Sequence, residues 1–471
     1  MRDTSAPEKA PEPVYTQPEP NAPVDMGEEE VEVAQGSDVW RGVARLSLDF
    51  VPTPCVSLKI SYDPPAGPPL PVFLRSTRPM GFRFPRHAQL VEMQLTSRCE
   101  RRHGSAAPQG EAAFRPARGA LVLGDEGEQA SKLVFHLVSF PDFMPPPDPG
   151  RPQFSRREER PPAAVLEADG WRISIWSLTD PFTRPKFWGR LWKTGYSMTH
   201  VGTAERADRS RFSAQEARGL LECLHFYLSF ARAAWAGVAL PVALDSNGQR
   251  LWSGLYISSA APDSQICLSW FGGVYGEYLV GAFPGYYRLW QAPRWRDPLQ
   301  KIIYWYVSAA SGGSGLGVET GLILSQVALE SLAWTFCVKQ KKSVSASTFK
   351  GRGLTAADKF RLLASSLDLP LPIPTQLRAL MTCLNGQPNK KWQDAMDAVT
   401  DIRNSLVHPG RSHSPSEDAY FEAWKLSLWY IELALLRLCE YNGRYANRLD
   451  YPPHLHAHPR EEMDRVPWAK P

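Results

Sequence analysis

Residues 395–409 read Ala-Met-Asp-Ala-Val-Thr-Asp-Ile-Arg-Asn-Ser-Leu-Val-His-Pro, and they decide how the C-terminal third of the chain is read. Together with Trp392, the residues Ala395, Met396, Val399, Ile402 and Leu406 recur at steps of three and four, which is one apolar stripe of a core helix. Asp401, Arg403 and Asn404 fall off that stripe. Pro409 disfavours helical dihedrals at His408, and Gly410 adds a stop signal, so the helix is predicted to end at His408. The stretch therefore holds an Arg-x4-His motif at a helix C-terminus. On an ideal helix five residues set Arg403 and His408 roughly 140° apart. They meet only if the helix end bends back or if two subunits share one site.

Spacing by itself does not select this pair. Arg98 with His103 and Arg448 with His454 have similar separations, but the first lies in a polar stretch and the second crosses Pro452 and Pro453, where no helix continues. Only Arg403 sits on a helical pattern.

Outward from the motif, the chain from Pro298 is helical in pattern. Leu299 to Ala309 is rich in Tyr and Trp, Ser311 to Gly317 is a glycine-rich break, and Glu319 to Val338 is apolar on most sides, as a central bundle helix must be. The break lacks a following Lys-Ser/Thr and is not a phosphate loop. Thr355 and Asp358 have capping spacing, Pro374 to Leu384 is a short helix, and Ser414, Pro415 and Glu417 read as the start of a long final helix with the stripe Tyr420, Trp424, Leu428, Ile431, Leu435, Leu438. Glu330 shares a stripe with Ile323, Val327 and Trp334, so it reads as a buried acid that needs a partner, with Arg403 the candidate. Lys339, Lys341, Lys342, Lys350 and Arg352 follow the central helix, as a solvated loop or as a patch that tracks RNA. Trp305, Trp334, Trp424 and Trp429 are read as core and dimer packing.

The N-terminal half carries the other period. Ala44, Leu46, Leu48, Phe50 and then Val56, Leu58, Ile60, Tyr62 alternate with polar residues, as neighbouring half-buried strands joined across Pro52 to Pro54. Val91, Met93, Leu95 and Leu133, Phe135, Leu137 continue the β pattern, with a basic loop near Arg101, Arg102 and His103 between them and a Pro-rich linker at Pro145 to Pro162. Trp171, Ile173 and Ile175 open another strand, Ser213 and Glu216 cap a helix, and short strands are expected at Leu251 to Ile257 and Ile266 to Phe271. Residues 1–36 are rich in Pro and Glu and read as a disordered arm. The predicted organisation is α+β: the arm, a β-rich domain at 37–165, a mixed segment at 166–296 that is either separate or continuous with it, an all-α bundle at 298–448 and a tail at 449–471.

Composition narrows the classes. The net charge is +4, with 20 Lys plus Arg against 16 Asp plus Glu in residues 298–471 and 33 against 33 before them, a mild basic bias on the motif-bearing part. The seven cysteines are scattered without a CxxC pair, which points to a reducing compartment and away from a disulfide framework or a zinc site. His454, His456 and His458 alternate among prolines and are read as tail, not as a metal site. The first 36 residues lack an apolar signal core, and the apolar run Ala233 to Leu244 is too short to span a bilayer, so a cytoplasmic protein without membrane contact is expected.

A bundle with Arg403-Asn-x-x-x-His408 near the end of its penultimate helix resembles the HEPN superfamily. The stretches Ala328 to Leu332, Arg403 to Pro409 and Tyr445 to Leu449 are similar to those of HEPN proteins with a β-rich N-terminal region, the ApeA-like arrangement associated with anti-phage defence. The resemblance implies a homodimeric endoribonuclease that works without metal or cofactor, with Arg403 and His408 catalytic, Asn404 supporting them, and Asp401 and Glu330 as further candidates. RNA is the implied partner, and the N-terminal region would sense a cellular or phage-derived trigger. The alternative is a non-catalytic bundle that dimerises or binds a nucleotide or protein partner, with function in the N-terminal region.

Overall fold

The computed structural model describes residues 10–35, 38–62, 78–87, 89–101, 109–117, 120–143, 162–178, 195–265, 267–272, 276–314, 317–385, 392–408, 415–450 and 463–469. The fold is α+β, β-rich towards the N-terminus and helical towards the C-terminus. Six strands close a barrel: β1 (Val24–Gln35), β2 (Asp38–Asp49), β3 (Cys55–Tyr62), β4 (Met80–Phe84), β5 (Gln89–Arg101) and β6 (Gln109–Pro116), in the order β1-β2-β3-β6-β5-β4. The alternation of the two expected strands is met by antiparallel pairing, with Ala44 opposite Ile60, Leu46 opposite Leu58 and Leu48 opposite Val56, all buried. Closure comes from β1 against β4, where Val33 faces Phe82.

That closure corrects the expectation of a disordered arm over 1–36 for Val24–Gln35; residues 1–9 lie outside the described residues. Val31 and Val33 point into the barrel, while Glu30 and Glu32 stay on the outside and pair with Arg86 at 3.0 Å and Arg41 at 2.7 Å. Glu28, Glu30 and Glu32, which suggested disorder, are the outer row of an alternating strand, while Glu29 lies on the other face beside His87. Upstream, Tyr15 is buried and its N–H donates to His136 Nε2 at 3.4 Å.

A second sheet has seven strands in the order β7-β13-β12-β8-β11-β10-β9: β7 (Leu121–Gly124), β8 (Lys132–Val138), β9 (Ala164–Ala168), β10 (Trp171–Ser177), β11 (Met198–Arg206), β12 (Gly237–Leu244) and β13 (Arg250–Leu255). A boundary at 165/166 therefore cuts through one sheet, because β8 lies between β12 and β11. The cause is pairing over long sequence separations, which local pattern does not reveal. Leu133, Phe135, Leu137, Ile173 and Ile175 bury one face against the helices, while Val138, Met198, Ala239 and Val242 join the core shared with the barrel. Residues 267–271 form no strand; Trp270 is buried there and its carbonyl accepts from Ala446 N–H at 2.7 Å. The linker at Pro145 to Pro162 lies outside the described residues except for Pro162.

The helical layer begins with α1 (Ala214–Arg232), which starts with the expected capping box of Ser213 and Glu216. It continues with α2 (Glu277–Gln291), α3 (Arg296–Ala310), α4 (Val318–Ala333), α5 (Ala346–Lys350), α6 (Ala356–Ser366), α7 (Arg378–Asn385), α8 (Ala395–Val407) and α9 (Glu417–Leu438). The N-cap of α9 is Ser416, whose hydroxyl accepts from Ala419 N–H, two residues beyond the expected start. Gly321 permits close packing here, since a Cβ would lie 2.7 Å from Ala309 O and 2.6 Å from Trp424 Nε1. Helix α4 with its π-helical continuation, Val318–Gln340, is long and apolar enough to cross a membrane, and 61% of its most apolar window is buried inside the chain. The expected tail is anchored in part: β14 (Arg444–Tyr445) pairs with β15 (Asp464–Arg465), and Met463 and Val466 are buried. His454, His456 and His458 lie outside the described residues.

Below the sheet, a buried ion pair joins the layers. Glu432 of α9 and Arg448 are 0% and 1% exposed and meet at 2.5 Å; Tyr306 of α3 donates to Glu432 at 2.5 Å, and Arg448 donates to Leu268 O at 2.6 Å. Burial opposes the charge on Arg448, but Glu432 outweighs it and raises the guanidinium above its ordinary value. Removing one partner strands the other charge, so Glu432→Ala should cost about 3–5 kcal/mol of stability in urea unfolding; a loss under about 1 kcal/mol would contradict this account. Burial also holds His136 down to about 4. The neutral ring is favoured in the fold, so its stabilisation is complete above about 6.5 and lost as pH falls towards 4. The unfolding free energy of wild type should accordingly fall roughly 3 kcal/mol further over that window than that of His136→Gln; equal slopes would refute it.

Candidate active site at the end of a bundle helix

Helix α8 carries the motif, and its sequence dictates both ends. Asp394 is the N-cap, accepting from Met396 N–H and Asp397 N–H, and Ala395, Met396, Val399 and Ile402 are buried as the stripe requires. At the other end His408 has φ −118° and ψ 97°, so it leaves the helical track as Pro409 demands, while its N–H still donates to Asn404 O at 3.1 Å. His408 is exposed and Arg403 is half-buried. Arg403 donates to Asn404 Oδ1 at 3.1 Å, and its buried Nε has no hydrogen-bond partner among the described residues. Asp401 accepts from Trp392 Nε1 at 3.1 Å, which ties the residue before the helix to its surface. Ser405 Oγ lies 3.1 Å from Tyr420 Oη of α9. No contact between described residues joins the Arg403 and His408 side chains within one chain.

Glu330 is not a buried partner of Arg403. Its side chain is 51% exposed and takes Lys359 Nζ at 2.7 Å. The stripe of Ile323, Val327, Glu330 and Trp334 is the half-buried edge of α4, on which Glu330 turns outward, while Leu322, Leu329 and Leu332 face the core.

The basic residues after α4 are also placed away from the motif. Lys339, Lys342 and Lys350 line a cleft of about 1110 Å³ together with Lys301, Lys359 and Trp334, whereas Lys341 and Arg352 do not line it. Two residues beyond Lys359 on the same helix, Arg361 turns to another side and grips Asp394 at 2.5 Å and Asp397 at 2.9 Å, at the start of α8, which contributes no residue to the cleft. Arg403 is nine residues further on, about 14 Å along the axis at 1.5 Å per residue. The sequence reading missed Lys301 on α3 and Lys359 and Arg361 on α6, because only packing brings Lys301 and Lys359 to the cleft and Arg361 to Asp394.

The comparisons with known proteins follow the structural layers. Residues 125–261, which hold most of the seven-stranded sheet and α1, match the family described as YopA central domain, and residues 292–458, which hold the helices from α3 onward, match YopA C-terminal domain. This chain is similar to YopA. The SPbeta prophage-derived uncharacterized protein YopA of Bacillus subtilis (strain 168) is 29% identical over 336 residues, covering 70% of this chain and 72% of that protein. Neither family description states an activity. No solved structure matches.

Arg361 also donates to Asp358 at 2.8 Å, and Asp394 above all, with Asp397, raises its pKa against the opposing effect of burial. Because Asp394 both caps α8 and receives Arg361, Arg361→Ala should lower stability by about 2–3 kcal/mol and speed amide exchange in α8; a change within about 0.5 kcal/mol would show that the network does not hold the helix.

Proposed function

We propose that the protein is a metal-independent endoribonuclease of HEPN type that acts as a homodimer in the cytoplasm. The observation that carries this reading is that an exposed His408 and a half-buried Arg403, whose Nε lacks a partner among the described residues, stand five residues apart at the C-terminal end of one helix. An RNA 2′-hydroxyl attacks the adjacent phosphorus; His408 takes the hydroxyl proton, a P–O2′ bond forms and the P–O5′ bond breaks. Arg403, steadied by Asn404, holds the phosphate and stabilises the charge of the phosphorane. His408 of a second copy, in its imidazolium form, gives its proton to the departing 5′-oxygen, which leaves a 2′,3′-cyclic phosphate. The prophage origin of the similar Bacillus subtilis protein suits an effector in conflicts between phage and host, with the β-rich region as sensor.

A non-catalytic bundle keeps one observation in its favour: within one chain no contact brings Arg403 to His408, so the site needs either a second copy or no chemistry at all. Purified protein incubated with total RNA in excess EDTA separates the two. Wild type should cut, with cyclic-phosphate ends and a rate per chain that rises with concentration; Arg403→Ala and His408→Ala should each lower the rate at least 100-fold with unchanged folding. Cleavage surviving both substitutions, or none with wild type, would sink the nuclease reading.

A further inference from the structure

The face of the seven-stranded sheet that looks away from the helices has two unlike covers. Val138, Met198, Ala239 and Val242 lie under the barrel, while Val134, Trp176 and Val201 form a small separate core with Ala10 and Val14 of the N-terminal segment. Trp176, Val201 and His136 stand opposite one another across β10, β11 and β8, so they make one row on that face. Residues 10–22 lie over it as a strap that is neither helix nor strand.

Tyr15 is the anchor of the strap. Its buried ring lies 5.9 Å from the His136 ring and 5.9 Å from the guanidinium carbon of Arg250, and its N–H donates to His136 Nε2 at 3.4 Å. Two residues on, Gln17 is a clamp: its Oε1 accepts from Met198 N–H at 2.7 Å and its Nε2 donates to Tyr196 O at 3.2 Å. Asn21 Oδ1 accepts from Tyr196 N–H at 2.9 Å, and Asn21 N–H donates to Tyr196 O at 3.0 Å. The strap is held largely through side chains, as a bound peptide is, and not by a strand ladder.

Two features make it a replaceable occupant. Pro11, Pro13, Pro18 and Pro20 fix φ and favour an extended chain, so little freedom is lost on docking, and the same holds for any segment of that composition. Trp176 Nε1 is buried in the cluster with Ala10 and Val14, yet it has no hydrogen-bond partner among the described residues. A buried donor left unmet costs stability. A segment that brings an acceptor to that indole makes the bonds of the strap and one more, which offsets the advantage of an occupant already tethered to β1.

We propose that this bed is a docking groove for an extended, proline-rich segment of a partner protein, with a tyrosine beside His136 and a glutamine two residues on, and that residues 10–22 are its resident occupant, displaced when the partner binds. A protein segment is favoured over nucleic acid because the bed is apolar and offers main-chain amides and carbonyls where phosphates require cations. The proposal stands apart from the nuclease reading, and its test uses no cleavage.

Fluorescence anisotropy with a labelled peptide of residues 10–23 tests it on full-length chains. The peptide should bind saturably to Tyr15→Ala/Gln17→Ala protein, about tenfold or more tighter than to wild type, whose own strap competes. Gln17→Ala alone, which removes hydrogen bonds but no buried ring, should shift affinity the same way and serves if the double variant unfolds. Peptides carrying Tyr15→Ala or Gln17→Ala should bind about tenfold more weakly than the native sequence. Of two peptides with Ala10→Asn or Val14→Asn, one should bind wild type more tightly than the native peptide does and lose that gain on Trp176→Phe protein. No binding to either strap variant, equal affinity for wild type and variants, indifference to the peptide's tyrosine, or no gain from either asparagine would each overturn the proposal. A wild-type dimer that dissociates in light scattering as peptide is added would assign the groove to the strap of a second copy and overturn the partner.

Discussion

The helical half is organised around one charge that is never allowed to reach water. Arg448 is enclosed between α9, α3 and the segment at Leu268, and it is tolerable there only because Glu432 lies on one side and the Leu268 carbonyl on the other, with Tyr306 closing the remaining position on Glu432. A charge pair of this kind adds little net stability over an apolar filling of equal volume, but it admits few alternatives. Any displacement of α3 relative to α9 leaves a donor or acceptor unmet in a dry interior. The register of α9, and with it the face that meets α8, is set by this constraint.

The seven-stranded sheet does the corresponding work between the halves. Its two faces enter different cores, one with the helices and one with the barrel, so the β-rich and helical parts share a layer instead of being joined by a tether. A perturbation of the barrel has a packed route to the helices through that sheet. The same layering explains why the two matched YopA regions are separate stretches of sequence and neighbours in space.

Local periodicity made much of this legible. The alternation in β2 and β3, the capping boxes at Ser213 and Thr355, the apolar α4 and the stripe of α8 all appear in the structure as the residues implied, because each depends on neighbours within a few positions. Departures came where distant residues decide. Residues 24–35 become a strand only because β2 and β4 supply partners, Arg448 becomes buried only because Glu432 waits for it, and Glu330 turns outward to a lysine 29 residues away.

The candidate site divides along the same line. The sequence by itself determined that α8 ends at His408, since the ring of Pro409 acts on the residue immediately before it, and that Arg403 and Asn404 stay off the buried stripe. Only the tertiary structure decided that Lys339, Lys342 and Lys350 gather with Lys301 and Lys359 into a cleft to which α8 contributes no residue, because their convergence depends on how α3, α4 and α6 pack. Helix ends are written in adjacent residues, whereas the charge of a surface is a sum over elements that meet only when the chain is folded.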